Sequence, residues 1–276
     1  MAVGGVGGSG TRVLAQILLA IGYQMGRDLN ESLDDLSFTA LFKRAELLPL
    51  QDHLEALDIA LAVYLTARGV ASPQDISAPC HRRRTETLLE AIAKSSPWRE
   101  DGTLKERLPA LATLDVPSER WGWKEPNTMI LLPYLLQALP QLRYIHVVRD
   151  GRDMAFSANK NQLELWGEYL LGRSIDGRDP ADMFDYWCHT QRRVLEFSNQ
   201  HPTRILIINL ETAAETPHDT LGAITDFLGV SLPQNYDQLV AFIKAPTSLN
   251  RYLAHPPLPM SASQKAVMAG LGYTVD

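Results

Sequence analysis

The 276-residue sequence contains only two cysteines, Cys80 and Cys188, which lie far apart along the chain. So few sulfur ligands argue against a disulfide scaffold and a zinc–cysteine cluster, and the histidines do not stand at metal-ligand spacing. No run approaches the roughly 20 apolar residues of a membrane span. The net charge of −6 argues against a protein that coats nucleic acid. These absences predict a soluble, cytoplasmic protein without a metal site, a membrane span or a nucleic-acid partner.

Hydrophobic residues make up 45% of the chain and charged residues 21%, which is typical of a globular protein. Apolar runs of strand length alternate with segments of helical periodicity. The alternation predicts an α/β protein with three layers, in which helices flank a central parallel sheet of about 4–5 strands. We expect a single domain over residues 1–276, with a mostly helical region at about 33–120.

The order of the predicted elements follows from the apolar pattern and from the prolines and glycines that interrupt it. Strands are predicted at Met1–Val3, Tyr23–Met25, Trp121–Lys124, Arg143–Val148 and Arg204–Ile208. Helices are predicted at Val13–Ile21, Leu54–Leu65, Thr85–Lys94, Thr128–Ala138, Asp150–Asn159, Ala181–Ser198 and Thr220–Leu228. The stretch Leu163–Pro180 is predicted to be rich in loops.

A glycine-rich loop, Gly4–Arg12, lies between the first predicted strand and the first predicted helix. Glycines let backbone amides approach an anion closely, and the following helix presents unpaired amides and the positive end of its dipole. Ser9 and Thr11 add hydroxyl donors. The loop predicts phosphate binding, with a plain strand-to-helix turn as the alternative.

The glycine pattern alone does not identify the phosphate ligand. Nucleoside triphosphatases carry Gly-x-x-x-x-Gly-Lys-Ser/Thr, whereas Gly10 is followed by Thr11 and Arg12, so the phosphate-binding lysine is missing. Gly5–Gly10 also fits Gly-x-Gly-x-x-Gly, with Asp28 at the distance of a ribose ligand, so the loop by itself leaves a dinucleotide site open.

A second group of polar residues follows the buried strand that ends at Val148. Arg149 stands at the carboxyl end of this strand, where ligands bind in open α/β sheets, and Ser157 follows eight residues later on the next predicted helix. An arginine and a serine so placed can bind one phosphate together, which argues against the dinucleotide interpretation. The alternative is a surface cap in which four charged residues pair with one another: Arg149, Asp150, Arg152 and Asp153.

A third element is the segment Trp121–Asn127. Lys124 ends its short strand, and Pro126 stops that strand. We expect this lysine to face the same sheet edge as the glycine loop.

In this order the three elements resemble the sulfotransferases that use 3′-phosphoadenosine 5′-phosphosulfate (PAPS). Gly8–Arg12 is similar to the loop that holds the 5′-phosphosulfate in that family, and Arg149 with Ser157 is similar to its 3′-phosphate pair. Lys124-Glu125-Pro126 is most similar to the tyrosylprotein sulfotransferases, and Asn209-Leu210-Glu211 resembles a late family motif. The resemblance spans most of the chain but is thin between about Phe38 and Arg120.

The resemblance implies a P-loop NTPase-like fold and PAPS as co-substrate, without a metal. The residues that it implies for cofactor binding are Gly7, Gly8, Ser9, Gly10, Thr11, Arg12, Arg149, Ser157 and Arg251.

The resemblance also implies catalytic roles for two residues. Many members carry Lys or Arg where this chain has Gly8, so we expect Lys124 to supply the charge that stabilises the transferring sulfuryl group, with Arg12 as the alternative. Glu31 is the predicted general base for the acceptor and Asp34 the alternate. The competing interpretation is that Asn30 or Ser32 caps the next helix. Glu31, Asp34 and Asp35 are then acids of its first turn, favoured by the helix dipole.

The predicted activity is sulfuryl transfer from PAPS to a hydroxyl or amine acceptor, with release of adenosine 3′,5′-bisphosphate. The alternatives are a P-loop kinase or NTPase and a non-catalytic relative that binds PAPS or the bisphosphate. Small-molecule, glycan and peptide acceptors all remain open, and a short chain favours a bacterial type. The other prominent side chains are more typical of core or surface positions, namely Trp121, Trp123, His146, Trp166, Trp187 and Arg82–Arg84.

Overall fold

The computed structural model describes residues 1–70, 83, 86–88, 90, 118–231 and 236–275. The chain divides into two compact units. The first unit joins Met1–Ile21 to Pro126–Asp276, and the second unit is the intervening stretch Gly22–Glu125. The predicted helix Thr85–Lys94, together with Cys80, Arg82 and Arg84, falls wholly or partly outside the described residues.

A parallel sheet organises the first unit. Its strands are β1 (Ala2–Gly5), β3 (Tyr144–Val148) and β4 (Ile205–Asn209). β3 is central: Ala2 of β1 lies opposite Tyr144, and Tyr144 lies opposite Ile205 of β4. Every residue of β1 and β3 is buried, as expected for parallel strands covered by helices. Because the strands are parallel, their carboxyl ends meet at one edge, where the glycine loop and Arg149 begin.

The helices of the first unit pack around this sheet. They are α1 (Thr11–Ala20), α4 (Leu132–Ala138), α5 (Gly151–Ala155), α6 (Asn161–Leu171), α7 (Pro180–Gln200), α8 (Leu210–Glu215), α9 (Pro217–Leu228), α10 (Tyr236–Val240) and α11 (Ala262–Gly270). The longest, α7, begins where the Asp179 side chain accepts a hydrogen bond from the amide of Ala181, with Pro180 at the first helical position. Short 3-10 helices occupy Pro126–Ile130 and Arg251–Ala254.

The second unit contains α2 (Leu36–Phe42), α3 (Leu54–Ala67) and the short strand β2 (Trp123–Lys124). Two 3-10 turns, Ala45–Leu47 and Leu50–Asp52, connect the helices. The ring of Trp123 stacks on Phe38 with centroids 4.9 Å apart, and Tyr64 meets both rings edge-on. Offset and edge-to-face aromatic contacts of this kind stabilise a core beyond the area that they bury.

The α/β class is confirmed, with a parallel sheet, flanking helices and a strand–glycine loop–helix unit at the start. The part of the chain that the structure describes contains four strands. The prediction of one domain over 1–276, with a mostly helical region at about 33–120, stays a prediction.

The prediction of a loop-rich stretch at Leu163–Pro180 is wrong, because α6 spans Asn161–Leu171. Leu163 and Trp166 lie on its buried face, and the Trp166 indole donates to Asn127 Oδ1 at 2.8 Å. Gly172, with φ of 64°, ends the helix. The signal was present as apolar residues at helical spacing, but the nearby glycines and Pro180 outweighed it.

The helix predicted at Asp150–Asn159 is shorter than expected. α5 ends at Ala155, whose carbonyl accepts from Lys160 Nζ at 2.6 Å, and the Phe156 carbonyl accepts from Arg251 Nη1 at 3.4 Å. Cationic side chains therefore satisfy carbonyls that another helical turn would have used. The strand predicted at Tyr23–Met25 is only a single bridge from Gln24 to Trp121.

Candidate functional site

The glycine loop turns sharply between β1 and α1. Gly8 and Gly10 have φ of 97° and 95°, a left-handed conformation that residues with a Cβ rarely adopt. A Cβ at Gly10 would also lie 2.8 Å from Leu210 Cδ1. The loop can therefore present its backbone closely to a ligand at the N-terminus of a ten-residue helix, where amides have no helical partner.

Gln162 of α6 holds this loop through two hydrogen bonds that the sequence does not predict. Its Oε1 accepts from the amide of Gly7 at 2.8 Å, and its Nε2 donates to the carbonyl of Gly5 at 3.3 Å. A Cβ at Gly7 would lie 2.9 Å from Asn159 Nδ2. The contacts join residues more than 150 positions apart, so local sequence carries no signal for them.

The hydroxyls predicted to bind phosphate lie at the end of the loop. Ser9 is only 1% exposed, and its Oγ has no hydrogen-bond partner among the residues that the structure describes. Thr11 is buried, whereas Arg12 is exposed. A buried hydroxyl without a partner is costly, and an anionic ligand oxygen would satisfy it.

Arg149 lies at the carboxyl end of β3 and is 2% exposed. Its Nη1 donates to Ser248 Oγ at 3.1 Å, and its Nη2 donates to Asp153 Oδ2 at 2.7 Å and to the Ser248 carbonyl. Its Nε has no partner in the described part of the chain. The guanidinium is therefore held rigidly but keeps one buried donor uncommitted.

The four charged residues after β3 do pair with one another, as the surface-cap alternative expects. Arg149 pairs with Asp153, and Arg152 pairs with Asp150 at 2.6 Å. Arg149 and Asp153 are buried, however, so this pair is not a surface cap. Glu211 supports the same turn, because its Oε1 accepts from the Asp150 amide at 3.0 Å.

Ser157 and the glycine loop meet in the first unit. Ser157 is buried just beyond α5, and a Cβ at Gly8 would lie 3.6 Å from its Oγ. Arg251, half-buried, donates towards the carbonyls of Phe156 and Ser248, each at 3.4 Å. The structure thus brings Gly8, Ser157, Arg149 and Arg251 into one neighbourhood.

This neighbourhood is cationic. Burial lowers the pKa of Arg251, and the positive charge of Arg149 lowers it further while Asp153 raises it. Burial also lowers the pKa of Lys160, and the charge of Arg251 adds to that shift. Mutual repulsion of cations lowers their pKa values in this way, and a bound polyanion would relieve it.

Lys124, in the second unit, is 2% exposed. Its Nζ contacts Asp34 Oδ1 and donates to the Ser32 carbonyl at 3.0 Å. Asp34 Oδ2 also accepts from Asn30 Nδ2 at 2.9 Å. Glu31 lies exposed on the same turn. The turn is closed by Asn30, whose Oδ1 accepts from the amides of Ser32 and Asp34.

Asp35 is a buried carboxyl next to this turn. It caps α2 through the amides of Ser37 and Phe38, and its Oδ2 accepts from the Tyr64 hydroxyl at 2.8 Å. Its backbone amide donates to the Lys124 carbonyl at 2.8 Å. Burial raises the pKa of Asp35 to about 6, although Arg68 and these hydrogen bonds lower it. Asp35 therefore belongs to a helix start, but as the N-cap of α2 itself. The expectation that Asn30 or Ser32 caps this helix and that Asp35 is an acid of its first turn is wrong, because Asn30 instead closes the preceding turn.

Four of the remaining prominent side chains are core residues, as predicted, whereas Trp121 is only half-buried. Trp123, Trp166, Trp187 and His146 are at most 1% exposed. Arg83, of the Arg82–Arg84 cluster, is exposed. Among the described residues, no helix is long and apolar enough to cross a membrane, and no group of His, Cys, Asp or Glu is arranged to hold a metal.

Comparison with known proteins adds a family match and distant relatives. A model of the sulfotransferase family matches residues 2–234. A candidate protein-tyrosine sulfotransferase of Caenorhabditis briggsae is 24% identical over 127 residues, which are 46% of this chain and 43% of that protein. The matched part therefore spans less than half of that relative.

The chain is also similar, at low identity, to two solved structures. The sulfotransferase domain of the Synechococcus PCC 7002 olefin synthase is 15% identical with a TM-score of 0.48, covering 100% of this chain and 95% of that chain. A sulfotransferase domain from the curacin biosynthetic pathway is 16% identical with a TM-score of 0.47, covering 100% and 98%.

Proposed function

Because the chain belongs to the sulfotransferase family, we propose that it transfers the sulfuryl group of PAPS to a hydroxyl or amine acceptor and releases adenosine 3′,5′-bisphosphate. The observation that carries the proposal is the meeting of the glycine loop with Ser157, Arg149 and Arg251 in the first unit. A nucleotide with phosphates at two ends needs two anion sites, and this neighbourhood offers donors for both.

The glycine loop, Gly7–Arg12, is the proposed site of the 5′-phosphosulfate. The positive φ values of Gly8 and Gly10 allow close backbone approach, and α1 contributes the positive end of its dipole. The uncommitted Ser9 hydroxyl fits an anionic oxygen as its partner. Because the Gly7 amide is bonded to Gln162, we assign it a role in loop shape rather than in direct binding.

Arg149, Ser157 and Arg251 are the proposed ligands of the 3′-phosphate. Arg149 retains a buried Nε–H, and an arginine donor to phosphate is a strong, charge-assisted hydrogen bond. The lowered pKa of Arg251 next to Arg149 also favours a bound anion at this point.

The transfer step needs positive charge and a proton acceptor. The acceptor oxygen or nitrogen forms a bond to sulfur as the bond between sulfur and the 5′-phosphate oxygen breaks, and the bisphosphate leaves with that electron pair. We assign Lys124 to the charge that develops on the transferring group and Glu31 to the acceptor proton. The contact between Lys124 and Asp34 supports Asp34 as the residue that holds the ammonium, and it keeps Asp34 as the alternative base.

The acceptor is proposed as a small-molecule, glycan or peptide hydroxyl or an amine. The name of the Caenorhabditis relative supports including tyrosine peptides. An acceptor panel incubated with ³⁵S-labelled PAPS identifies the class directly.

Nucleotide binding tests the donor assignment. Isothermal titration should give tighter binding of adenosine 3′,5′-bisphosphate than of AMP, ATP–Mg²⁺ or NAD. Arg149→Ala should lower bisphosphate affinity about 100-fold, because it removes a charged hydrogen-bond donor from the phosphate. Arg173→Ala, which alters an exposed arginine of the same unit, is the matched control and should bind normally. Stabilisation by ATP–Mg²⁺ with no bisphosphate binding would instead identify a kinase or NTPase.

Turnover tests the catalytic assignment. Lys124→Ala should lower kcat at least about 100-fold, whereas Lys43→Ala in the same unit should not. Glu31→Gln should remove the acidic limb of the kcat–pH profile and leave bisphosphate affinity unchanged. Loss of that limb in Asp34→Asn alone would transfer the role of base to Asp34. Normal bisphosphate binding without turnover on any acceptor would identify a non-catalytic relative.

A further inference from the structure

A single buried carboxylate joins the two arginines of the proposed 3′-phosphate site. Asp153, on α5, is 0% exposed. Its Oδ2 accepts from Arg149 Nη2 at 2.7 Å and from the Asn250 amide at 2.9 Å, and its Oδ1 accepts from the Tyr252 amide at 3.3 Å. Both carboxylate oxygens are therefore engaged. Oδ2 accepts from the Arg149 guanidinium and the Asn250 amide, and Oδ1 accepts from the Tyr252 amide.

The two amides bonded to Asp153 stand on either side of Arg251. Asn250 has φ of 61°, a left-handed turn that starts the 3-10 helix Arg251–Ala254. The Arg152 guanidinium lies 4.3 Å from the centre of the Tyr252 ring, which adds a cation–π contact to the same junction. Asp153 thus fixes the backbone on both sides of Arg251. It lies 97 positions from Asn250 and 99 positions from Tyr252 in the chain.

The charge of Asp153 opposes the ligand that the neighbourhood is proposed to bind. A carboxylate beside a phosphate raises the electrostatic cost of binding. A buried charge pair also carries a desolvation cost and is weak evidence for stability by itself. An acid at this position is explained if it orients the cations, since fixed donors lose less entropy on binding than free ones.

We propose that Asp153 is a positioning residue, which sets the guanidinium of Arg149 and holds the segment Ser248–Tyr252 so that Arg149 and Arg251 together recognise the 3′-phosphate of the nucleotide. The inference rests on the proposed function and extends it to a residue that does not itself touch the ligand. It assigns to Asp153 the discrimination between nucleotides with and without a 3′-phosphate.

Substitution of Asp153 by asparagine separates positioning from simple electrostatics. Asp153→Asn keeps the size of the side chain but loses the charge and one acceptor oxygen. If Asp153 positions the arginines, affinity for adenosine 3′,5′-bisphosphate falls about tenfold or more, while affinity for AMP stays within about twofold. If it acts only as a nearby negative charge, removing it strengthens bisphosphate binding. Isothermal titration at constant ionic strength measures both nucleotides.

The matched control is Asp182→Asn. Asp182 is also a buried carboxylate paired with an arginine, Arg173 at 2.6 Å, but it lies on α7. Within the described ranges it makes no hydrogen bond or ion pair with the proposed phosphate ligands. Asp182→Asn should leave the ratio of bisphosphate affinity to AMP affinity unchanged. An unchanged or increased bisphosphate affinity in Asp153→Asn, or an equal loss for both nucleotides, overturns the inference and leaves the proposed function intact. A wild-type protein that does not prefer the bisphosphate to AMP overturns the proposed function and this inference together.

A measurement on the wild-type protein covers the case in which Asp153→Asn does not fold. Amide hydrogen exchange followed by NMR should find the Asn250 and Tyr252 amides protected, and the bisphosphate should slow their exchange further by at least about tenfold. AMP should leave them unchanged. Exchange of both amides at the rate of an open loop, with and without the bisphosphate, would overturn the inference.

Discussion

His146 is a neutral histidine at the centre of β3. Its Nδ1 lies 2.9 Å from the Tyr144 hydroxyl and its Nε2 lies 2.8 Å from Gln191 Oε1, so the Nε2–H tautomer satisfies both neighbours. Burial lowers the pKa of His146 to about 4, and only the bond to Gln191 opposes that shift. The side chain therefore resists protonation in the folded protein far more than in the unfolded chain.

The first prediction concerns His146 and acid. Between pH 6.5 and about 4 the unfolded chain binds a proton that the folded protein does not, so stability falls as pH falls through this range. His146→Gln should remove up to roughly 3 kcal/mol of that decline. Urea unfolding at several pH values measures it, with His201→Gln as the control. An identical decline in wild type and His146→Gln would contradict the prediction.

The second prediction concerns Asp35, whose pH dependence has the opposite sign. Its pKa of about 6 exceeds the usual 3.8, so the folded protein binds the extra proton and loses stability as pH rises from about 4 to 6. Asp35→Asn should gain up to roughly 3 kcal/mol relative to wild type across that interval, because the amide has no charge to bury. Urea unfolding of Asp35→Asn and of Asp52→Asn, a surface control, tests the sign. A fall in the stability of Asp35→Asn relative to wild type, as the pH rises from about 4 to 6, would refute the prediction.

Single residues differ in how well the sequence predicts their roles. Gly8, Gly10 and Arg149 stand in local patterns of glycine and charge, and the structure brings them into one neighbourhood. Gln162 carries no such pattern, because its partners are more than 150 positions away. Asp153 stands in the charged run with Arg149, but its bonds to the Asn250 and Tyr252 amides, almost 100 positions away, have no local signal. For Arg251 the sequence signal is the family resemblance, and only the fold explains its proximity to Arg149. The roles of these residues in binding and catalysis stay predictions.

The third prediction concerns the connection that Gln162 makes between α6 and the glycine loop. Gln162→Leu preserves the approximate size of the side chain but leaves the Gly7 amide and the Gly5 carbonyl without these bonds. Affinity for the bisphosphate and for AMP should fall together, each by about tenfold, because the loop is proposed to hold the 5′ end common to both. Isothermal titration with Gln200→Leu as the exposed control decides this. A loss confined to the bisphosphate would contradict it.

Elements were predicted most accurately where one signal dominated. β3 is a continuous apolar run, and it spans Tyr144–Val148 against a predicted Arg143–Val148. The sequence misses α6 although its apolar residues stand at helical spacing, because the nearby glycines and Pro180 favour a loop. α5 is shorter than predicted because Lys160 and Arg251 satisfy the carbonyls of Ala155 and Phe156. Local spacing does not reveal these partners.

At the scale of the whole molecule, the proposed nucleotide ligands all belong to the first unit, and this leads to the fourth prediction. Bisphosphate at 100 times its Kd should stabilise the native state by about 2.7 kcal/mol, and so slow the most protected amides of β3 by about 100-fold. Hydrogen exchange by mass spectrometry measures this, with AMP at the same concentration as the control. Slowing in α3 without slowing in β3 would contradict the assignment of the ligands to the first unit.

The net charge of the chain and the local charge around the proposed nucleotide site have opposite signs. The chain carries −6 overall, while Arg149, Lys160 and Arg251 gather in one cationic neighbourhood. The net charge alone predicts that the protein does not coat nucleic acid. The spacing of the motifs is needed to predict a local anion site. The cytoplasmic location and the bacterial origin stay predictions.

The pairing of β1 with β3 also has a consequence for biosynthesis. Ala2 leaves the ribosome long before Tyr144, its partner across the sheet. At ~5–20 residues per second, the wait is on the order of ten seconds. Throughout that interval the apolar strand β1 lacks its partner strand β3. The proposed nucleotide site therefore forms only after segments far apart in the chain, from the glycine loop to Arg251, have all been synthesised.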